Sequence, residues 1–272
     1  MTGLLTVLNR LLYNTASSLL RRRDYLLTKA TAPEQIKALL ARIRPGATEH
    51  DLIRVGGSGD GGYLVPDDLE RIECCFSPGV AQVAEFELAL AQRGIRCCLA
   101  DHSVPYPPVQ HALFDFENRH LGVIESASRT TLENWVNRKA PPQGDLLLQM
   151  DIEGDEYEVI FAAGRDTLRR FRILVIEFHD LHRMIERHYF KIVDMTFSKL
   201  LQDFYVVHIH PNNDQPLYSY KGIQIPPIAE FTFLRQDRVQ HLKPRTSFPH
   251  PLDVKNVRQN PDYPLPACWY QS

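Results

Sequence analysis

In the run Leu146-Leu147-Leu148-Gln149-Met150-Asp151-Ile152-Glu153-Gly154-Asp155-Glu156, an apolar stretch of strand length breaks into acid, acid and glycine, then into helical spacing. A second apolar stretch, Ile173 to Phe178, carries Glu177 within it and meets His179 and Asp180 at its end. A strand buried on both faces has little use for carboxylates, and in an open α/β sheet the carboxyl ends of strands are where ligands bind. Asp151 and Glu153 share an i, i+2 spacing, as do Glu177 and His179, so each pair is expected on one side of its strand. If the two strands are neighbours, Asp151, Glu153, Glu177 and His179 converge at one edge of the sheet. Such a set binds a divalent cation, Mg²⁺ among them, or sets a base against a hydroxyl. The plainer alternative makes Glu153 a cap on the following helix and His179 a hydrogen-bonded loop histidine.

Two further segments suit a ligand. In Arg54-Val55-Gly56-Gly57-Ser58-Gly59-Asp60-Gly61-Gly62-Tyr63-Leu64-Val65-Pro66, the glycines let backbone approach a ligand closely, and Asp60 and Tyr63 are the polar groups expected to face it. The segment lacks the Gly-Lys-Ser/Thr of a phosphate-binding loop, and a glycine-rich hairpin is its structural alternative. Phe76-Ser77-Pro78-Gly79-Val80-Ala81-Gln82-Val83-Ala84-Glu85-Phe86-Glu87 reads as strand, small-residue turn and helix start, the place where a nucleotide-type cofactor sits. Asp101 closes the next strand, where a carboxylate can accept from ribose hydroxyls. Ala81 and Ala84 stand where a fuller fingerprint would carry glycine or acid.

The elements that must hold these residues alternate. Strands are expected at Ile72–Ser77, Ile95–Ala100, Asp145–Met150 and Ile173–Phe178, with a strand-like stretch from His111 to Leu121. Helices are expected at Glu85–Gly94, Thr130–Lys139, Glu156–Phe171 and Tyr189–Phe204. Tyr205–His210 and Ile228–Leu234 have no helix between them and read as an antiparallel hairpin on the sheet's edge. The pattern predicts a mainly parallel, helix-covered α/β sheet. Residues 1–48 form a helical extension, with leucines at three-and-four spacing (Leu4, Leu5, Leu8, Leu11, Leu12) and a second helix near Pro33–Ile43. It is either a cap packed on the main domain or an amphipathic element for a membrane surface or dimerisation, and the sequence leaves both open. Residues 49–240 form the main domain, and residues 241–272 a proline-rich tail laid on the surface.

A chain of 272 residues with 44% hydrophobic and 24% charged residues is an ordinary globular composition, and a net charge of −2 gives no field favouring nucleic acid. The cysteines, paired as Cys74-Cys75 and Cys97-Cys98 with Cys268 alone, make a poor disulfide framework and read as buried small hydrophobes in a reducing compartment. No stretch resembles a cleaved signal or a span of about 20 apolar residues, so a cytoplasmic location is expected, with peripheral membrane contact through residues 1–30 as its variant.

Taken in order, Asp60-Gly61-Gly62-Tyr63, Pro78-Gly79-Val80 with Phe86-Glu87, Thr131-Leu132-Glu133-Asn134-Trp135, Met150-Asp151-Ile152-Glu153-Gly154-Asp155-Glu156 and Glu177-Phe178-His179 resemble the FkbM-type methyltransferases. His210-Pro211-Asn212-Asn213 and Glu230-Phe231-Thr232-Phe233-Leu234-Arg235 extend the resemblance, which covers about residues 50 to 238. It implies a Rossmann-like seven-stranded sheet with helices on both faces and an antiparallel last strand. It further implies S-adenosylmethionine as cofactor and methylation of a hydroxyl on a sugar, glycan-type or secondary-metabolite acceptor. By that resemblance Gly79 and Asp101 hold the cofactor, with Ser77 and Val80 beside them and Asp60, Gly61, Gly62 and Tyr63 contributing. Asp151 lies next to the methionine moiety or a metal, and Glu153, Glu177 and His179 lie on the acceptor side. Two other classes fit the same elements: an NAD- or nucleotide-dependent enzyme, opposed by the missing Gly-x-Gly-x-x-Gly, and a non-catalytic scaffold. A homo-oligomer is compatible with all three.

Overall fold

The computed structural model describes residues 2–25 and 27–271, and side chains from residue 12 onward. An antiparallel hairpin comes first, β1 (Leu52–Gly56) and β2 (Gly62–Pro66), turning through the glycine-rich segment. The main strands follow: β3 (Ile72–Pro78), β4 (Arg96–Ala100), β5 (Phe114–Glu117), β6 (Asp145–Met150), β7 (Phe171–Phe178), β8 (Phe204–Pro211) and β9 (Ala229–Arg235). The helices are α1 (Thr2–Arg21), α2 (Pro33–Arg42), α3 (Glu85–Gln92), α4 (Leu132–Lys139), α5 (Glu156–Ala162), α6 (Arg165–Arg169) and α7 (Arg187–Leu200).

The seven main strands make one sheet in the order β8-β9-β7-β6-β3-β4-β5. Pairings from β7 through β6, β3 and β4 to β5 are parallel, while β9 runs antiparallel to both β7 and β8. The sheet is therefore mixed, and its antiparallel strand lies one place in from the edge, not on it as the sequence suggested. The burial pattern explains this placement. β9 sends Phe231 and Phe233 into one core and Leu234 into the other, so both of its faces and both of its hydrogen-bonding sides need neighbours.

Period-2 alternation sorts the strands between two cores. Cys74, Phe76, Leu146, Leu148 and Ile176 face the layer built by α2, α4, α5 and α7, whereas Cys75, Leu147 and Val175 face α3 and the β1–β2 hairpin. Four cysteines are buried within these layers as free thiols, as read from their neighbours; Cys268 is half-buried and also free.

Three boundaries differ from expectation. The helix expected over Glu156–Phe171 is two, because Ala163 and Gly164 adopt extended backbone and Phe171 already belongs to β7. The stretch His111–Leu121 divides into β5 and a three-residue strand, His120–Gly122, that pairs with Arg129–Thr131. α4 starts at Leu132 because the Thr131 side chain accepts from Asn134 N–H and caps it.

The N-terminal region behaves in two ways. Ile36, Leu39, Leu40 and Ile43 are buried in the main core, so α2 is packed on the domain. Along α1, Leu12 and Leu19 are exposed, and the side chains of Leu4, Leu5, Leu8 and Leu11 lie outside the described residues. Among the described residues, no helix is long and apolar enough to cross a membrane. The segment after residue 241 is extended as expected, yet it does more than lie on the surface: Leu265 and Trp269 enter the main core and the Trp269 indole N–H donates to Gln224 O. Trp269→Ala should cost about 3–5 kcal/mol, the range for emptying a large buried site, measured by urea unfolding. A change near zero would show that the tail is not part of the folded core.

Candidate functional site at the strand ends

β6 and β7 are parallel neighbours with Ile176 opposite Met150, so Asp151 and Glu177 are the next residues along. Beyond Met150 the chain leaves the sheet. Glu153 takes a left-handed backbone at φ 59, which only a tight turn would impose on a glutamate. The i, i+2 strand argument for Asp151 and Glu153 therefore fails, although the turn returns both carboxylates to one imidazole. His179 Nε2 lies 3.8 Å from Asp151 Oδ1 and 3.4 Å from Glu153 Oε2. Glu153 does not cap α5, which has no side-chain cap; Glu156 instead braces the turn before the helix, its Oε1 accepting from Ile152 N–H at 3.1 Å and Gly154 N–H at 3.0 Å. The same oxygen lies 3.1 Å from His179 Nδ1.

The charges follow from burial and these contacts. Burial raises the Asp151 carboxyl to about 7, with Glu153 and Glu156 adding to the rise and His179 opposing it. For His179, burial disfavours the charged ring, but the Glu156 hydrogen bond and the surrounding carboxylates outweigh it and raise the ring to about 9. At neutral pH His179 is an imidazolium, and Asp151 is the group poised between its two forms.

A second set of acids lies behind this one. Glu177 is buried; Asn212 donates to its Oε1 at 2.7 Å, and its Oε2 has no partner among the described residues. Burial, then the Asp151 and Glu230 charges, hold its carboxyl well above the usual range. Glu230, at the start of β9, lies 3.3 Å from His210 Nδ1 and accepts from Asn256 at 2.6 Å. Asp60 stands nearby on the glycine-rich turn, its carboxyl raised first by burial and then by Glu230. Glu156 and Glu230 stand in motifs read from the sequence but were assigned no role there, and Asn256 was not singled out. Glu230 carried the signal that found Glu177, a lone acid in an apolar strand; Asn256 carried none.

A buried chain fixes the Tyr63 hydroxyl beside these acids. Ser77 Oγ bonds both Glu87 Oε1 and Gln149 Oε1, and Gln149 Nε2 donates to Tyr63 Oη at 3.2 Å. A hydroxyl has one proton, so Ser77 gives it to Gln149 and must accept from Glu87. Glu87 can do so in its protonated form, which burial favours by raising the carboxyl. Ser77 thus points into a polar network of the core, away from open space. Gln149 thereby positions the Tyr63 hydroxyl, which burial first, and then the Glu177, Asp151, Glu230 and Asp60 charges, hold well above its ordinary range.

Three cavities run across the strand ends. The first, ≈ 480 Å³, is bounded by Gly79, Ala81, Asp101, Ser103, Asp151 and Glu153 among others. The second, ≈ 240 Å³, shares Gly79, Ala81, Asp151 and Glu153 with it and adds Asp60, Gly61, Tyr63 and Val80. Gly62 stays in the hairpin, where a Cβ would meet Gly57 O at 2.1 Å. Gly79 holds the partition between the strands: its φ is +88, and a Cβ there would come within 1.6 Å of Asp151 O. Asp101 secures the turn above it, Oδ2 accepting from Ala81 N–H at 2.8 Å and Oδ1 from Ser103 N–H at 2.7 Å. Ala81 itself adopts φ 39, the conformation for which glycine is the ordinary choice. A third cavity, ≈ 430 Å³, continues outward from Asp60 and Val83 to Asn256 and Gln259.

Residues 111–204 match the family model described as the methyltransferase FkbM domain, a segment that runs from before β5 to the start of β8 and includes Asp151, Glu156, Glu177 and His179. Among solved structures, the chain is similar to an rRNA methylase from Streptococcus thermophilus, with a TM-score of 0.34 and 10% identity over 75% of this chain and 97% of that one. A search of curated proteins returned no match.

Two variants test the construction. Gly79→Ala should destabilise by roughly 3 kcal/mol or prevent folding, because both the left-handed backbone and the Asp151 carbonyl oppose a methyl group; thermal melting is the readout, and a variant melting like wild type would refute the close approach. Glu87→Gln keeps a donor for Ser77 without a titrating group. Because the folded-state Glu87 value is raised from 4.5, its contribution is complete below that pH and is lost as pH rises. The variant should therefore gain on wild type in urea unfolding as pH goes from 5 to 8; parallel pH profiles would mean that Glu87 is ionised in the fold.

Proposed function

We propose that this chain, with its FkbM-type methyltransferase segment, is an S-adenosylmethionine-dependent O-methyltransferase acting on a hydroxyl of a glycan-type or secondary-metabolite acceptor. The observation that carries the reading is the ≈ 480 Å³ cavity between Asp101 and Asp151, roofed by the side-chain-free Gly79. The volume falls within the range of small-molecule sites. Gly79 and Ala81 would give backbone to the cofactor, and Asp101, whose Oδ2 accepts from Ala81 N–H and keeps one lone pair, would take a ribose hydroxyl. When bound, S-adenosylmethionine supplies an electrophilic methyl group on a sulfonium.

The chain's own residues then have two tasks. The in-line geometry of methyl transfer makes positioning the main requirement, and reactants in the two cavities that meet at Gly79 and Asp151 would lie on either side of one carboxylate. Asp151, whose carboxyl sits at about 7, takes the acceptor hydroxyl's proton. His179 is protonated up to about 9 and serves as a fixed cation that orients the carboxylates, so it is not the base.

The donor set also fits a divalent cation. Asp151, Glu156 and His179 place one ligand atom each within 4.8 Å of one another, and Asp151 Oδ1 is a buried oxygen with no partner among the described residues. An imidazole in the set favours Mn²⁺ or Zn²⁺ over Mg²⁺, which prefers oxygens. A cation there would lower the acceptor hydroxyl's pKa, and it must displace the His179 proton.

Three measurements test this. Calorimetry should give S-adenosylhomocysteine binding that is lost in Asp101→Ala; no binding by wild type would sink the reading. With an acceptor in hand, kcat/KM should rise as pH passes about 7 and fall near about 9, and Asp151→Asn should lose roughly 10²–10⁴-fold, the usual worth of a positioned base. Mn²⁺ binding should tighten about tenfold per pH unit between about 7 and 9, as the His179 proton leaves, and more steeply below about 7, where Asp151 must also lose its proton. A flat affinity would remove His179 from the ligand set.

A further inference from the structure

The third cavity is open to a ligand and is walled on one side by a segment that lies outside the FkbM match. Its inner side is the glycine-rich turn, Ser58 to Asp60, and its outer side is Asn256 to Gln259 of the C-terminal segment. That segment is fixed to the sheet by buried polar contacts. Asp253 Oδ1 lies 2.8 Å from His208 Nε2, with both side chains almost fully buried. Asn213 accepts from Val257 N–H and donates to Val257 O, both at 2.8 Å. Asn256 Nδ2 reaches Glu230 Oε1 at 2.6 Å. A wall tied down by buried polar groups is a rigid one, since each would be costly to leave unpaired.

Asn256 is the informative residue. It is 8% exposed, and its Oδ1 is buried without a partner among the described residues, while the residue itself lines the cavity. A buried amide oxygen without a donor is unusual in a folded protein and asks for one. Asp60, whose carboxyl the Asn256 amide also reaches, lies across from it, and Glu85 adds a third acceptor group to the same wall. Of these groups, Asn256 Oδ1 is the buried oxygen without a donor among the described residues, while the exposed Asp60 and Glu85 add acceptor oxygens and negative charge to the same wall. The cavity joins the Asp151 compartment through Asp60 and Val83, on the side away from Asp101.

We propose that this outer cavity is the acceptor-recognition subsite, with Asn256 and Asp60 as specificity-determining residues that grip a donor-rich group, either vicinal hydroxyls or an ammonium, several bonds from the methylated atom. The subsite rests on the methyltransferase reading of the adjoining cavities. The C-terminal segment is on this account part of the substrate-binding surface, and a ligand lying along it would run from Gln259 inward to Asp151.

The test uses the full chain loaded with S-adenosylhomocysteine and saturation-transfer NMR with two probe panels, methyl glycosides of common hexoses and short alkyl diamines. Binding of members of one panel is expected, methyl glycosides identifying hydroxyl recognition and diamines ammonium recognition. Asn256→Ala and Asp60→Asn should each weaken that binding about tenfold, equivalent to about 1.4 kcal/mol, and Asn256→Ala should keep S-adenosylhomocysteine affinity. Gln259→Trp, at an exposed rim position, should block it without touching the fold. Overturning results are retained cofactor-product binding with no binding from either panel, or probe binding that all three variants leave unchanged. Loss of S-adenosylhomocysteine binding by wild type would instead sink the parent reading, and this one with it.

Discussion

The Glu156 carboxylate is buried, and its Oε1 lies within hydrogen-bonding distance of Ile152 N, Gly154 N and His179 Nδ1. Removing such a group from water costs several kcal/mol unless donors replace the solvent. Two are backbone amides of the turn after β6, and the third is the imidazole after β7. One oxygen therefore joins two strand ends that the sheet alone would only place side by side. It braces the turn in which Glu153 is left-handed and supplies the largest share of the attraction that keeps the ring charged. Tyr157, the next residue, adds a hydrogen bond to His179 O at 2.8 Å, so the turn and the ring move together.

This tie divides the acids into two electrostatic regimes. Around His179, carboxylates are balanced by the imidazolium they surround. Around Glu177, where burial is deeper and the partner is a neutral amide from Asn212, the balance comes from holding a proton. Asp151 stands between the regimes and inherits an intermediate value, which is how groups of one chemical type acquire separate roles. The Glu87–Ser77–Gln149 chain performs a quieter version of the same task, setting the orientation of one phenol from within the core.

Much of this was legible in the residues. Apolar runs interrupted by single acids located β6 and β7 and the atoms that matter at their ends, because period-2 patterning leaves an acid in a buried strand nowhere to hide. Gly79 was legible because a small residue after a first strand has few other uses. What escaped was set by contacts distant in sequence. The interior place of β9 depends on which neighbours satisfy its two faces, and Asn256 acquires its meaning from Glu230 and Asn213, which share no local pattern with it. The roles within the acid pairs were also misassigned locally: Glu153 was read as a strand neighbour of Asp151, while the turn geometry that unites them is dictated by Glu156 three residues later.

The place of β9 between β7 and β8 also sets the order in which the chain can close. β8 is made first but has β9 as its partner in the sheet, so when Phe204–Pro211 leaves the ribosome its ladder has nothing to pair with. Pairing waits for Ala229–Arg235, and the contacts that complete the outer wall wait for residues beyond 250. Long-range strand pairing of this kind is slow, and an unpaired apolar strand is exposed to wrong partners in the interval. The half of the molecule carrying β3 to β7 can assemble vectorially, whereas the half that shapes the rim is a product of the finished chain.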